Sequence, residues 1–131
     1  MVKRVVITGL GTVNPLGNNV KDYWERVKAC ENGITRITRF DPSEHSSQVA
    51  GEVKDFDPGD FFEAKDARRM DRFTVYAVAA GIQAHEDAGL KNGDIDPDRI
   101  GIVLGNGIGG IEVLGNNFKR FFERGVKAVH P

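Results

Sequence analysis

The sequence predicts a layered α/β fold, and three observations predict it. Two short apolar runs, Val5-Val6-Ile7 and Ile100 to Leu104, both run into glycine. They read as strands buried on both faces, as in a parallel sheet. Helical patterns lie between and after them, in the order strand, helix, helix, strand, helix. The third observation is F-T-V-Y-A-V-A-A-G-I-Q-A, Phe73 to Ala84. Only Thr74 and Gln83 interrupt its apolar and small residues, and a helix apolar all round is buried on all sides. Layers must therefore cover it from two directions.

Val5 to Ile7 comes first and ends at Thr8-Gly9. Thr12 to Gly17, T-V-N-P-L-G, is a loop broken by Pro15 and Gly17. Asn19 can cap the next helix, and Asp22 puts a negative charge at its N-terminus. Val20, Tyr23, Trp24, Val27 and Cys30 fall at helical spacing and form an apolar stripe, with Gly33 as the stop. Ile34 to Phe40 is extended, and Asp41-Pro42 turns the chain. Val49 to Val53 reads as a strand with Val49, Gly51 and Val53 on one side. Asp57-Pro58-Gly59 is a further turn, followed by Phe61-Phe62 on a short helix.

The central helix is expected from about Asp71 to Ala88, roughly 27 Å long, with Gly89 as its stop. Gly81 inside it costs about 1 kcal/mol against Ala and implies a closely packed neighbour. Lys91 to Asp98 is polar loop. Ile100 to Leu104 then runs into G-N-G-I-G-G, Gly105 to Gly110. The last helix carries Ile111, Leu114, Phe118, Phe121 and Phe122 on one face and ends at Gly125. The 131 residues suit one domain. They supply too few strands and helices to cover the central helix, so the chain is expected to be part of something larger.

A net charge of −1 and a pI of about 6.3 exclude a global pull toward nucleic acid or a membrane surface. No run reaches the ~20 apolar residues of a membrane span. The apolar run after Lys3-Arg4 is too short for a signal-peptide core. A single cysteine excludes an internal disulfide framework and fits a reducing compartment.

Gly105, Gly107 and Gly110 satisfy G-x-G-x-x-G, but no acid-bearing second strand follows. A tight turn where backbone or ligand comes close explains them as well as a small dinucleotide-binding domain does, and better. Asp94, Asp96 and Asp98 imitate a calcium loop, but Arg99 and Gly105 replace the required Gly and Glu. His45, His85, His130 and Cys30 share no metal-ligand spacing. Cys30, in an apolar stripe, reads as a small hydrophobe. These residues hold no nucleophile, no acid–base pair and no metal site. Lys65, Arg68, Arg69 and Arg72 follow helical spacing and would share one face of a helix. Such a stripe is either a solvated face or a docking face for an acidic or phosphorylated partner.

V-V-I-T-G-L-G-T-V-N-P-L-G, R-R-M-D-R-F, E-D-A-G-L and G-N-G-I-G-G together resemble β-ketoacyl-[acyl carrier protein] synthases, and G-I-G-G-I-E resembles the type II enzymes. The resemblance runs through essentially the whole chain, in order. It implies the thiolase-like fold, layered α-β-α-β-α, with buried helices between two sheets. Residues 1–131 would be the N-terminal part of such a domain, incomplete, because the family's nucleophilic Cys and catalytic His residues would come later. The implied reaction is fatty-acid chain elongation by decarboxylative condensation of malonyl-carrier protein with an acyl group. Gly107 and Ile108 would line the acyl-chain pocket near a homodimer interface. Lys65, Arg68, Arg69 and Lys127 would dock the acyl carrier protein, whereas Ala128 departs from a basic residue common there and Arg72 is an added charge. No cofactor or metal is implied, and the setting would be cytoplasmic. A non-catalytic partner subunit of the chain-length-factor type shares these features and remains the alternative.

The chain of 131 residues by itself is expected to show no elongation activity. An assay with acyl- and malonyl-carrier protein checks this, and measurable 3-oxoacyl product would overturn it.

Overall fold

The computed structural model describes residues 3–91 and 93–129. His130, considered above as a metal ligand, lies outside them. Helix α1 spans Val20–Lys28, strands β1 and β2 span Ile34–Arg36 and Val49–Gly51, and helices α2, α3 and α4 span Ala64–Ala67, Arg72–Asp87 and Ile111–Arg124.

Helix α1 starts as its sequence dictates: Asn19 Oδ1 accepts the Asp22 N–H at 2.8 Å. Its end is a correction. Cys30 adopts φ 56°, Glu31 N–H bonds Arg26 O and Cys30 N–H bonds Val27 O. This paired bonding is a Schellman stop, so the helix ends before Gly33. Cys30 consequently leaves the apolar stripe and is exposed. Gly33 has another use, since a methyl there would stand 3.1 Å from both Pro15 and Leu16 side chains.

β1 and β2 form an antiparallel pair in the register Ile34↔Gly51, Thr35↔Ala50, Arg36↔Val49. The sheltered side belongs to Thr35 and Ala50; Val49 and Gly51 share the exposed side, and the strand ends at Gly51, short of the expected Val53. The two apolar runs read as strands are also corrected. Apart from the local turn bond of Ile100 N–H to Pro97 O, no backbone hydrogen bond joins Val5 to Ile7 or Ile100 to Leu104 to another segment among the described residues. Val103 is 99% exposed. A doubly buried strand needs neighbours at its edges and on its faces, and no described segment runs beside these two. Phe61 and Phe62 follow a 3₁₀ turn at Pro58–Asp60 and are not on a helix.

Helix α3 matches its predicted bounds. Asp71 caps its start, and Gly89, at φ 65°, closes its end with Gly89 N–H on Glu86 O. One face is covered. Val75 and Ala79 are the buried apolar residues, Ala79 with no exposure. Tyr76 meets Phe56 edge-on at 5.2 Å, and Phe56 stacks on Phe61 at 5.8 Å. The N-terminal loop lies along the same helix. A methyl on Gly9 would stand 2.1 Å from Ala84 O, and one on Gly11 2.0 Å from Ala80 O. Leu10 N–H donates to Asp87 Oδ2 at 2.9 Å and Thr12 N–H to Gln83 Oε1 at 3.2 Å. The other face is open: Val78 is 40% exposed, and among the described residues nothing lies within 4 Å of a methyl built on Gly81. The close neighbour expected at Gly81 is therefore found at Gly9 and Gly11 instead.

Gly11→Ala is expected to destabilise the chain by about 3 kcal/mol, the range for forced overpacking. Gly81→Ala should stabilise it by about 1 kcal/mol through helix propensity. Urea titration ranks the two, and equal midpoints would refute the loop–helix contact.

Candidate functional site

Two adjoining clefts lie between the starts of α3 and α4, the larger also bordered by Ala67 at the end of α2. The larger, about 540 Å³, is lined by Phe56, Arg68, Arg72, Tyr76, Glu112 and Val113 among others. The smaller, about 340 Å³, takes in Arg39, Arg72, Phe73, Ile108, Gly109 and Glu112. Arg72 and Glu112 belong to both walls.

Asp71 explains the local geometry. Its backbone is extended at φ −73° and ψ 156°, and its Oδ1 accepts the Arg72 N–H at 2.5 Å. A capping residue of this kind starts a helix and cannot sit inside one. The segment from Lys65 to Arg72 is therefore not one helix: α2 stops at Ala67, Arg68 is its C-cap, and a turn leads to α3. The expectation that Lys65, Arg68, Arg69 and Arg72 share one helical face is thereby corrected. All four are exposed. Arg68 lines the larger cleft, and Lys65 and Arg69 line neither. Lys127 lies in a 3₁₀ turn, Val126–Ala128, beyond the far end of α4. At 1.5 Å per residue that is about 20 Å along the helix from the Arg72–Glu112 contact.

Ile108 is 75% exposed and borders the smaller cleft, whereas Gly107 has open space around it. The close approach expected of the glycine pattern falls on Gly109. A methyl there would meet the Phe73 ring at 3.0 Å, and the Gly109 N–H donates to Asn106 Oδ1 at 2.8 Å. Gly110 supplies the left-handed N-cap of α4 at φ 66°.

The residues that sequence reasoning missed are Arg39, Phe73 and Glu112. Arg39 Nη2 donates to Glu112 Oε2 at 3.0 Å, and Arg72 Nη2 stands 3.7 Å from the same oxygen. Arg39 and Glu112 are 73 positions apart, so no spacing signals the pair. Arg39 is held in turn by Glu52, whose Oε1 accepts its N–H at 3.3 Å. Glu52 also accepts the Thr38 hydroxyl at 2.7 Å and the Thr38 N–H at 3.1 Å. The Thr38 hydroxyl is the main cause that holds Glu52 below the ordinary glutamate value; desolvation opposes it, and the Thr38 and Arg39 N–H groups and the Arg39 charge add to it.

The clefts offer guanidinium groups, aromatic faces and an apolar edge, which suit binding. Cys30 and His85 are exposed and border neither cleft, and His45 packs edge-on against Phe40 at 5.4 Å. Among the described residues no cluster of His, Cys, Asp and Glu could hold a metal ion, and no helix is long and apolar enough to cross a membrane.

A family model described as the β-ketoacyl synthase N-terminal domain matches residues 2–128. A 3-oxoacyl-[acyl-carrier-protein] synthase 2 from Synechocystis is 45% identical over 129 residues, which is 98% of this chain and 31% of the relative. The solved ishigamide ketosynthase/chain length factor superimposes with a TM-score of 0.78 at 31% identity, covering 100% of this chain and 33% of that one. A type II polyketide acyl-carrier protein in complex with its ketosynthase gives 0.79 at 28% identity, covering 99% and 33%. The chain thus spans about a third of the length of the relatives it matches, and its fold class is the thiolase-like α/β fold of ketosynthases.

Because the folded Glu52 value is lowered, its contribution to stability is full above the unfolded glutamate pKa and is lost as pH falls through the folded one. The urea midpoint should therefore drop on acidification below about pH 4.3. In Glu52→Gln that acid limb should flatten, and an unchanged limb would show that the Thr38–Glu52 contact is absent.

Proposed function

The chain belongs to the β-ketoacyl synthase family, and from that premise we propose that it forms the N-terminal part of an elongating 3-oxoacyl-[acyl-carrier-protein] synthase. The observation that carries this reading is the 45% identity, over 98% of the chain, to a relative of that name. In the reaction the malonyl thioester loses carbon dioxide. The resulting carbanion attacks the acyl thioester carbonyl, and the thiolate that carried the acyl group leaves. The residues present do not perform those steps. They bind and position what the steps act on.

Ile108, at the mouth of the smaller cleft, and Gly107 beside it border the acyl chain. Lys65, Arg68, Arg69 and Lys127 dock the carrier protein. Support for the docking role is exposure: all four side chains are free to meet an acidic partner. Their arrangement, a short helix, a turn and a distant 3₁₀ segment, makes this a broad charged surface and not a single stripe. Such surfaces govern encounter rate and register more than the bound-state energy. The same reading makes residues 1–131 an incomplete ketosynthase domain and the intact protein a cytoplasmic homodimer. The chain-length-factor reading has one observation in its favour, the likeness to a ketosynthase/chain length factor at 31% identity. The higher identity to the elongating synthase outweighs it.

Reversal of Arg68 and Arg69 to Glu in the full-length protein is expected to raise KM for carrier-bound acyl groups about tenfold. That corresponds to about 1.4 kcal/mol, reasonable for two reversed surface charges. The same acyl group on a small pantetheine thioester should be turned over almost as by wild type. Added salt should weaken the carrier reaction of wild type, since the Debye length is ~8 Å at physiological ionic strength. Equal losses with both substrates would defeat the docking role, and no condensation by the wild-type full-length protein would defeat the enzymatic reading.

A further inference from the structure

We propose that the Arg39–Glu112 ion pair is a positioning clamp for the turn that carries Ile108, and that it sets which acyl chains the smaller cleft accepts; the inference rests on the acyl-pocket reading of Ile108. Gly107 and Ile108 have almost no support of their own. Among the described residues Gly107 has no neighbour within 4 Å of a built methyl, and Ile108 is 75% exposed. Their position is therefore inherited from the ends of the turn. On one side Asn106 Oδ1 takes the Gly109 N–H at 2.8 Å, and Phe73 lies against the Gly109 backbone. On the other, Gly110 turns the chain into α4, and Glu112 in the first turn of α4 is held by Arg39 at 3.0 Å.

The clamp has a fixed base. Arg39 follows Thr38, and both are bonded to Glu52 on the segment just after β2. A continuous polar chain thus runs from the β1–β2 pair through Glu52, Thr38, Arg39 and Glu112 to the glycine turn. Arg72, at 3.7 Å, is the longer contact and adds charge more than geometry. The groups that face Glu112 are cationic, so its carboxylate is the element that holds them together. Neither Arg39 nor Glu112 needs to touch the acyl chain for this. They act by restricting where Ile108 can stand, and a shift of an ångström or so at a pocket rim matters to the methylenes packed there.

The test uses the full-length protein and acyl pantetheine thioesters, so that carrier docking does not enter. The quantity read is the ratio of kcat/KM for a long acyl chain to that for a short one. Glu112→Gln should change this ratio two- to fivefold, and Arg39→Glu by at least as much. The exchanged pair Arg39→Glu with Glu112→Arg should return it toward wild type. Raised salt should move the wild-type ratio in the same direction as Glu112→Gln. A fivefold change corresponds to about 1 kcal/mol, the upper end for an exposed ion pair. Ile108→Phe is the control and should depress the long-chain rate selectively. If Ile108→Phe shifts the ratio while Glu112→Gln and Arg39→Glu leave it at wild type, the clamp is overturned and the pocket stands. Equal loss of both substrates without rescue by the exchanged pair also overturns the clamp. If Ile108→Phe leaves the ratio unchanged, the pocket reading itself falls, and this inference with it.

Discussion

The approach of the Gly9–Gly11 backbone to the carbonyls of Ala80 and Ala84 is the contact on which the rest of the structure depends. A side chain at either glycine would occupy the space of a carbonyl oxygen on α3. Small residues on both partners bring two backbones together, and backbone polar groups of the loop are then met by side chains of α3. Gln83 does much of that work. It accepts the Thr12 N–H, and its amide donates to Asn18 O at 2.8 Å. Asn18 reaches on to the carbonyls of Lys54 and Asp55. One side chain on α3 thus ties the N-terminal loop to the segment that leads into Phe56, the aromatic that packs against Tyr76 and lines the larger cleft.

This arrangement gives α3 two unlike faces. One is occupied by the loop and the aromatic cluster. The other presents Val78, 40% exposed, and Gly81, where a built methyl meets nothing within 4 Å among the described residues. Some exposed apolar residues, such as Leu10, Phe40 and Ile95, stand singly, but the most exposed are grouped. They gather on Val5 to Ile7, on Ile102 to Leu104 and along α4 at Leu114, Phe118, Phe121 and Phe122. Grouped apolar surface of this kind marks a face made to be covered, and it coincides with the segments whose sequence pattern demanded burial.

The candidate site is assembled from pieces that only chain folding brings together. Glu112 opens α4, Arg72 opens α3, and Arg39 follows β1. Two helix starts converge there, and Asp71, Arg72 and Glu112 line both clefts. Asp71 Oδ2 is buried at this junction with no hydrogen-bond partner among the described residues, so the junction is polar. The Ile108 turn projects from the same place.

The bounds of α3 were legible because its caps and stop are local chemistry: Asp71 captures the Arg72 N–H, and Gly89 adopts a backbone angle that other residues resist. The Asn19 cap and the Gly125 stop were legible for the same reason. Family and fold class could be read from short motifs in order, since each motif is a local stretch. Local pattern misled where a non-glycine residue took a glycine's place, as at Cys30, and where capping by Asp71 broke the basic stripe that spacing alone made continuous. The two apolar runs were read as doubly buried strands and stand exposed and unpaired among the described residues, because pairing is a property of neighbours, which a strand's own residues do not contain. Only the tertiary structure decided that Gly9 and Gly11 are the close-packing glycines and Gly81 is not, because that depends on which backbone arrives. It alone joined Arg39 to Glu112, since charges so far apart in sequence meet only after the turns between them have set their direction.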